Sequence, residues 1–223
     1  MSYHFQFHEI WAARGEFAVG ALLTLELSII ATLVSLLFAI VGAYGRMYGP
    51  KWLRAIIIAY IEIIRNTPFL VQIFFIYFGI PMLNIRLDPN EAAVLAMVLN
   101  GTAYTIEIVR AGIENVGTGQ LEAARALGLR RLDTFRYIVM PQALRVMLPP
   151  LEAQFIILLL ASSVVSAVSA NELTGVTNFI ASTTYRSFEA YITAAGIYLA
   201  MSLLFNFGFA MVNRLAFGRL DQR

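Results

Sequence analysis

What most limits the fold of this chain is a series of five apolar stretches, each long enough to cross a lipid bilayer. About 20 residues at a rise of ~1.5 Å traverse the ~30 Å hydrocarbon core. Residues 18–44, 53–80, 91–112, 147–169 and 190–213 all reach that length. Inside hydrocarbon the backbone must satisfy its own N–H and C=O groups, so such stretches are helices. The expected fold is all-α, a polytopic bundle of about five transmembrane helices in one domain covering residues 1–223. Composition agrees. Of 223 residues, 59% are hydrophobic and only 13% charged, with a mean hydropathy of +0.72. A soluble domain carries about 25% charge, so much of this surface faces something other than water.

The loops orient the bundle. Segments 45–54, 110–146 and the tail after 213 hold 12 of the 16 basic residues, against three (Arg14, Arg86, Arg186) in the opposite loops. Basic loops stay in the cytoplasm, which places the N-terminus outside and the C-terminus in the cytoplasm. The basic residues form no long run, so their expected partner is membrane lipid and no nucleic acid. There is no cysteine, hence no disulfide or thiolate metal site. His4 and His8 precede the first span in a segment expected to be poorly ordered and read as a surface pair. The first apolar run lacks a basic leader and exceeds a signal core, so it is expected to remain as a span.

Pro68 lacks an amide donor and is expected to bend or break the second span. Just before it, Glu62 and Arg65 share a helix face and can pair; the reading favoured is that the pair lies at the cytoplasmic interface. Small and hydroxyl residues recur at helical spacing. In the first span Thr24, Ser28, Thr32 and Ser35 read as close helix packing. In the fourth, Ser162, Ser163, Ser166 and Ser169 form one stripe that suits either packing or a polar solute path.

The longest cytoplasmic loop, about 114–145, is not a plain connector. Thr118 or Gly119 can cap a helix over Leu121–Leu127, Gly128 permits a tight turn, and a second short helix around Leu132–Val139 is expected to stop before Pro141. Ala123 and Ala124 would let another protein's backbone come close, and Glu122 would fix register. In physical terms this is a docking element outside the bilayer; the plainer account is an amphipathic surface helix.

Glu122-Ala123-Ala124, then Gly128, Ile138, Met140 and Pro141, resemble the EAA signature of binding-protein-dependent ABC importer permeases, with Met140 where leucine is usual. Arg65-Asn66-Thr67-Pro68-Phe69-Leu70-Val71-Gln72 is similar to the RGTPLLVQ stretch of the polar amino-acid permeases, with Asn66 for glycine. Tyr77 to Pro81, Ala103-Tyr104, Glu107, Arg110 to Ile113, Gly119-Gln120 and Pro141-Gln142-Ala143 follow in that group's order, so the likeness runs over about 19–213.

The resemblance implies a type I ABC importer transmembrane domain in the cell (inner) membrane. It implies a separate ATP-binding subunit that holds ATP and magnesium, a second permease chain of the same or different sequence, and a periplasmic or extracellular solute-binding protein. Gly119, Glu122, Ala123, Ala124, Gly128, Ile138 and Pro141 would couple the chain to the ATPase. Thr67, Tyr104, Ser162, Ser163 and Ser166 are candidates for the substrate path. The chain has no G-x-x-x-x-G-K-[ST], so it has no P-loop, and no cofactor or catalytic residue of its own is expected.

One departure bears on the solute. Relatives commonly carry Lys-Asp-Thr-Ser-Leu where this chain has Leu160-Ala161-Ser162-Ser163-Val164, and an asparagine where it has Ala153. Either the solute is less polar or a second permease supplies the charges. Two further classes compete. An ion-gradient transporter or channel would use an intramembrane carboxylate, with Glu26 the candidate. A membrane enzyme would use Glu107, Glu152 or Glu172, but none has a His or Cys partner nearby in sequence.

Overall fold

The computed structural model describes residues 4–217, and all the regular elements among them are helical. Two long helices form the spine, α2 (Arg14–Tyr48) and α5 (Pro89–Glu114); the numbering leaves α1 for the short helix His8–Ala12 ahead of them. Along α2 the buried residues are mostly small: Gly20, Thr24, Ser28, Ala31, Ser35, Ala39 and Ala43 recur every three or four positions on one face. Ala92, Ala93, Ala96 and Gly101 answer them on α5. Lipid offers no hydrophobic drive between helices, so close packing of small residues supplies much of the cohesion. A Cβ on Gly101 would lie 2.6 Å from Ser35 Oγ and 2.9 Å from Leu158 Cδ1. Ser35 itself donates to the Val98 carbonyl at 3.1 Å. Ser28 likewise donates to the Thr24 carbonyl at 2.7 Å, so these two hydroxyls serve packing.

Four helices are long and apolar enough to cross a membrane, and a bent pair makes a fifth. That pair is the second stretch, split into α3 (Lys51–Arg65) and α4 (Phe69–Gly79), whose directions differ by 108°. Pro68 sits at the break in extended backbone, φ −63° and ψ 138°. After α5 come α6 (Thr118–Ala126) and α7 (Arg131–Thr134). Here the structure corrects the expected stop before Pro141. α7 runs through a π turn at Phe135–Val139 into α8 (Met140–Ala161). The missing Pro141 donor and its ring are accommodated by the wider turn, so the helix continues. The fourth span is thus the end of one rod from Arg131 to Val168.

α1 and α9 (Leu173–Thr184) were not anticipated; α9 folds back against α2, with Gly20 facing the Leu173 Cα. The expected fifth span is α10 (Ser187–Phe217), which closes the bundle. The N-terminal segment, expected to be poorly ordered, is fastened instead. The Gln6 amide donates to Glu189 at 2.9 Å, Arg186 donates to the Gln6 side chain at 2.5 Å, and Phe5 packs on Phe188. Arg219 and Arg223, counted among the tail's basic residues, lie outside the described residues.

Candidate functional sites: a protruding turn and a break in a span

The protruding element is built by α6, its turn and α7. Leu127, Gly128 and Leu129 end α6 in a defined way. The Leu129 amide donates to the Ala124 carbonyl at 3.1 Å and the Gly128 amide to Arg125 at 3.0 Å, with Gly128 at φ +72°. This double bond pattern with a left-handed residue closes the helix end and frees α7 to start in a new direction. Val116, Leu121 and Val139 join the Ala39–Met147 cluster and seat the element on the ends of α2, α5 and α8. Its outer side is apolar without cover: Leu127 is 77% exposed and Leu132 74%. Beside them a groove of about 400 Å³ is lined by Tyr48, Leu121, Arg125 and Phe135, among others.

The sequence-predicted coupling residues separate into two groups. Gly119, Glu122, Ala123 and Pro141 lie on the exposed side, and Gly128 forms the turn. Ile138 is half-buried. Ala124 departs from its expected role: it is 0% exposed within this chain, so it anchors α6 inward and cannot meet a partner's backbone.

The break between α3 and α4 is the second site. A helix that ends away from water leaves carbonyls without partners, and three side chains supply them. Asn66 donates to the Glu62 carbonyl at 2.8 Å, Thr67 to Ile63 at 2.8 Å, and Gln72 to Ile64 at 2.7 Å. Gln72 Oε1 then accepts from Asn100 of α5 at 2.9 Å, tying the break to the spine.

Arg65 lies with its guanidinium 5.3 Å from the Tyr104 ring centre. Tyr104 is 15 residues from the start of α5 and 10 from its end. The break is therefore level with the middle of α5. Glu62 and Arg65 do not pair among the described residues: Glu62 accepts from Asn66 at 2.9 Å, and Arg65 faces the ring. α3 is pinned against α5 by the Tyr60 hydroxyl, which donates to the Leu99 carbonyl at 2.5 Å. Gln72 entered the sequence reading only as the end of the RGTPLLVQ-like stretch and Asn100 not at all; an amide inside an apolar stretch was the signal available.

Of the residues predicted for a solute path, Thr67 lies in this break and Tyr104 meets its neighbour Arg65. The serines do not join them by any described bond. Ser162, Ser163 and Ser166 each donate at 2.7 Å to a carbonyl three residues back. These bonds accompany the tight 3₁₀ turn Ser162–Val168 that ends the fourth span, with Ser169 left-handed at φ +65°.

Two of the remaining carboxylates, Glu107 and Glu172, have structural partners. Glu107 is paired with Arg46 and with Arg110. Glu172, fully buried, caps α9 through the Gly175 amide at 2.8 Å and accepts from the Tyr198 hydroxyl at 2.6 Å and Thr24 at 3.4 Å. Glu26 lies on an exposed face of α2, in a groove shared with Asn90 and Glu91.

Comparison with known proteins gives one consistent result. Residues 31–217 match the family of binding-protein-dependent transport system inner membrane components. The glutamine transport system permease protein GlnP of Escherichia coli K12 is 36% identical over 205 residues, covering 91% of this chain and 94% of that one. The probable glutamine ABC transporter permease protein GlnM of Bacillus subtilis is 35% identical, covering 83% and 86%. A solved structure of an amino acid ABC transporter with histidines superposes with a TM-score of 0.89 at 36% identity, over 95% of this chain and 99% of that one.

Proposed function

The chain belongs to the binding-protein-dependent transport system inner membrane components, and from that membership we propose that it is the permease subunit of an ATP-driven importer for an amino acid. The fold is that of a type I ABC importer permease, and the chain is a multi-pass membrane protein. In this reading the N-terminus is outside and the α6–α7 end is cytoplasmic, in keeping with the distribution of basic residues. A separate ATP-binding subunit takes up α6. A second permease chain completes the path, and an external binding protein delivers the solute.

The observation that carries the reading is the α6–Gly128–α7 element: an apolar, uncovered turn fixed rigidly to the ends of α5 and α8. Glu122, Ala123 and Gly119 present its outer face to the ATPase. Ala124 holds α6 to the bundle, Gly128 sets the angle, and Ile138 and Pro141 lie where the movement enters α8. A push on α6 is passed as a rigid-body shift to α5 and to the rod that contains the fourth span, which is how alternating access is driven.

The solute path runs past the break, where Arg65, Thr67 and Tyr104 form the polar group at mid-bundle. Ser162, Ser163 and Ser166 bound it through their backbone turn, their hydroxyls being already engaged. The absence of a charged pair at Leu160-Ala161 fits a less polar solute or a different partner permease carrying those charges.

The test is uptake into proteoliposomes by the chain together with the subunits that co-purify with it. Amino-acid uptake that requires ATP, and that Ala124→Glu abolishes while membrane insertion persists, is expected. Uptake sustained by an ion gradient without ATP would sink the proposal and favour an ion-coupled carrier.

A further inference from the structure

We propose that the cleft where α2 ends, α3 begins and α5 ends binds the phosphate of an anionic phospholipid. The cleft, about 350 Å³, is lined by Arg46, Met47, Tyr48, Arg54, Ile58, Arg110 and Glu114. Three guanidinium groups from three helices converge there. Arg54 is held in place by its own bonds, Nε to the Arg46 carbonyl at 2.8 Å and Nη2 to Met47 at 3.1 Å. Arg46 is paired with Glu107, and Arg110 bridges Glu107 and Glu114. Two carboxylates therefore touch Arg46 and Arg110, and Glu62 acts on Arg46 from farther off; Arg54 is bonded to carbonyls and makes no ion pair among the described residues, so its charge is open to an anion. Arg110 Nε is buried and has no acceptor. A buried charged donor left unpaired is costly, and phosphate oxygens, like carboxylates, match the planar guanidinium fork.

The rim decides between a lipid and a free anion. Trp52 is 65% exposed and Tyr48 67%, with the Tyr44 ring tilted against Tyr48 at 5.2 Å between ring centres. Exposed Trp and Tyr at the end of an apolar helix mark the level of lipid headgroups. Ile56 and Ile58 extend an exposed apolar surface away from the cleft along α3. A phosphate carrying acyl chains would satisfy the arginines and cover that surface at once. Basic pockets between helices at a membrane face are a recurrent setting for anionic headgroups.

The experiment is native mass spectrometry of the full-length chain, with any subunits it carries, titrated with phosphatidylglycerol, with phosphatidylcholine of the same acyl chains, and with inorganic phosphate. Phosphatidylglycerol is expected to bind about tenfold or more tightly than phosphatidylcholine, and millimolar phosphate is expected not to displace it. Arg54→Gln is expected to remove the preference, whereas Arg86→Gln leaves it. Equal retention of the two lipids overturns the proposal, and this wild-type comparison holds even if Arg54→Gln fails to fold. Displacement by inorganic phosphate overturns it in favour of a soluble anion. An unchanged preference in Arg54→Gln overturns the location.

Discussion

Gly128 offers a test that separates two reasons for a glycine in a docking turn. Its φ is +72°, and a Cβ built there meets nothing within 4 Å in this chain. Any substitution within the isolated chain is therefore a conformational penalty without a clash. For an L-residue the left-handed region costs roughly 1–2 kcal/mol, less for Asn, which visits it more readily. A cost of about 1.4 kcal/mol is a factor of ten in an equilibrium, so Gly128→Ala should raise the opened fraction of the turn about tenfold. Gly128→Val should raise it further, because β-branched residues are true outliers there. Opening breaks the Leu129–Ala124 and Gly128–Arg125 bonds that fix α6 relative to α7. ATP-driven uptake per assembled complex should then fall in the order Gly, Asn, Ala, Val, with the amount of chain in the membrane unchanged. If the glycine instead makes room for the partner's backbone, the largest side chains would be worst regardless of backbone preference, and Asn would transport less than Ala. That order, or a Val variant equal to the parent, would refute the conformational argument.

Three other perturbations follow from single contacts. Gly112→Ala places a Cβ into the Met147 side chain and 3.2 Å from the Ala143 carbonyl; overpacking of this kind costs about 1–3 kcal/mol. Thermal unfolding in detergent should show the loss, and adding Met147→Ala should recover part of it. Glu172→Ala removes the acceptor from the Tyr198 hydroxyl and the Gly175 amide. Each buried donor left over costs about 1–3 kcal/mol, so the melting temperature should drop clearly, and less in Glu172→Gln, which keeps one carbonyl oxygen. Tyr104→Phe keeps the ring under Arg65 and should transport normally. Tyr104→Leu loses a cation–π contact worth about 0.5–1 kcal/mol, a roughly two- to fivefold change expected in the half-saturation of uptake rather than in the amount of protein.

How much of this could be read from sequence follows from what each feature depends on. Span length is set by bilayer thickness, a rule that acts locally, so the five stretches and the break at Pro68 were legible. α9 was not. It has 12 residues, too short to span, and its place depends on Glu172 reaching Thr24 across 148 positions of sequence. Pro141 misled for the same reason: proline ends a helix by default, and only the packing of Val139 and Met147 into one cluster shows that the rod continues. Their small side chains put Ala123 and Ala124 together as one docking face, yet one faces out and the other is sealed against the bundle.

The polar residues inside the spans show most sharply where periodicity stops. Spacing says that Ser162, Ser163 and Ser166 share a face; it does not say that their hydroxyls turn back to their own carbonyls. Nor does it say that Asn66, Thr67 and Gln72 spend their donors on the open end of α3. A polar group in a membrane segment has two uses, to satisfy the backbone or to meet a solute, and it rarely has donors enough for both. Once the first use is assigned, Arg65 and Tyr104 remain as the pair at mid-bundle whose charge and ring are not committed to a helix end. The proposed path is therefore narrower than the stripe of hydroxyls suggested, and it centres on α3 and α5.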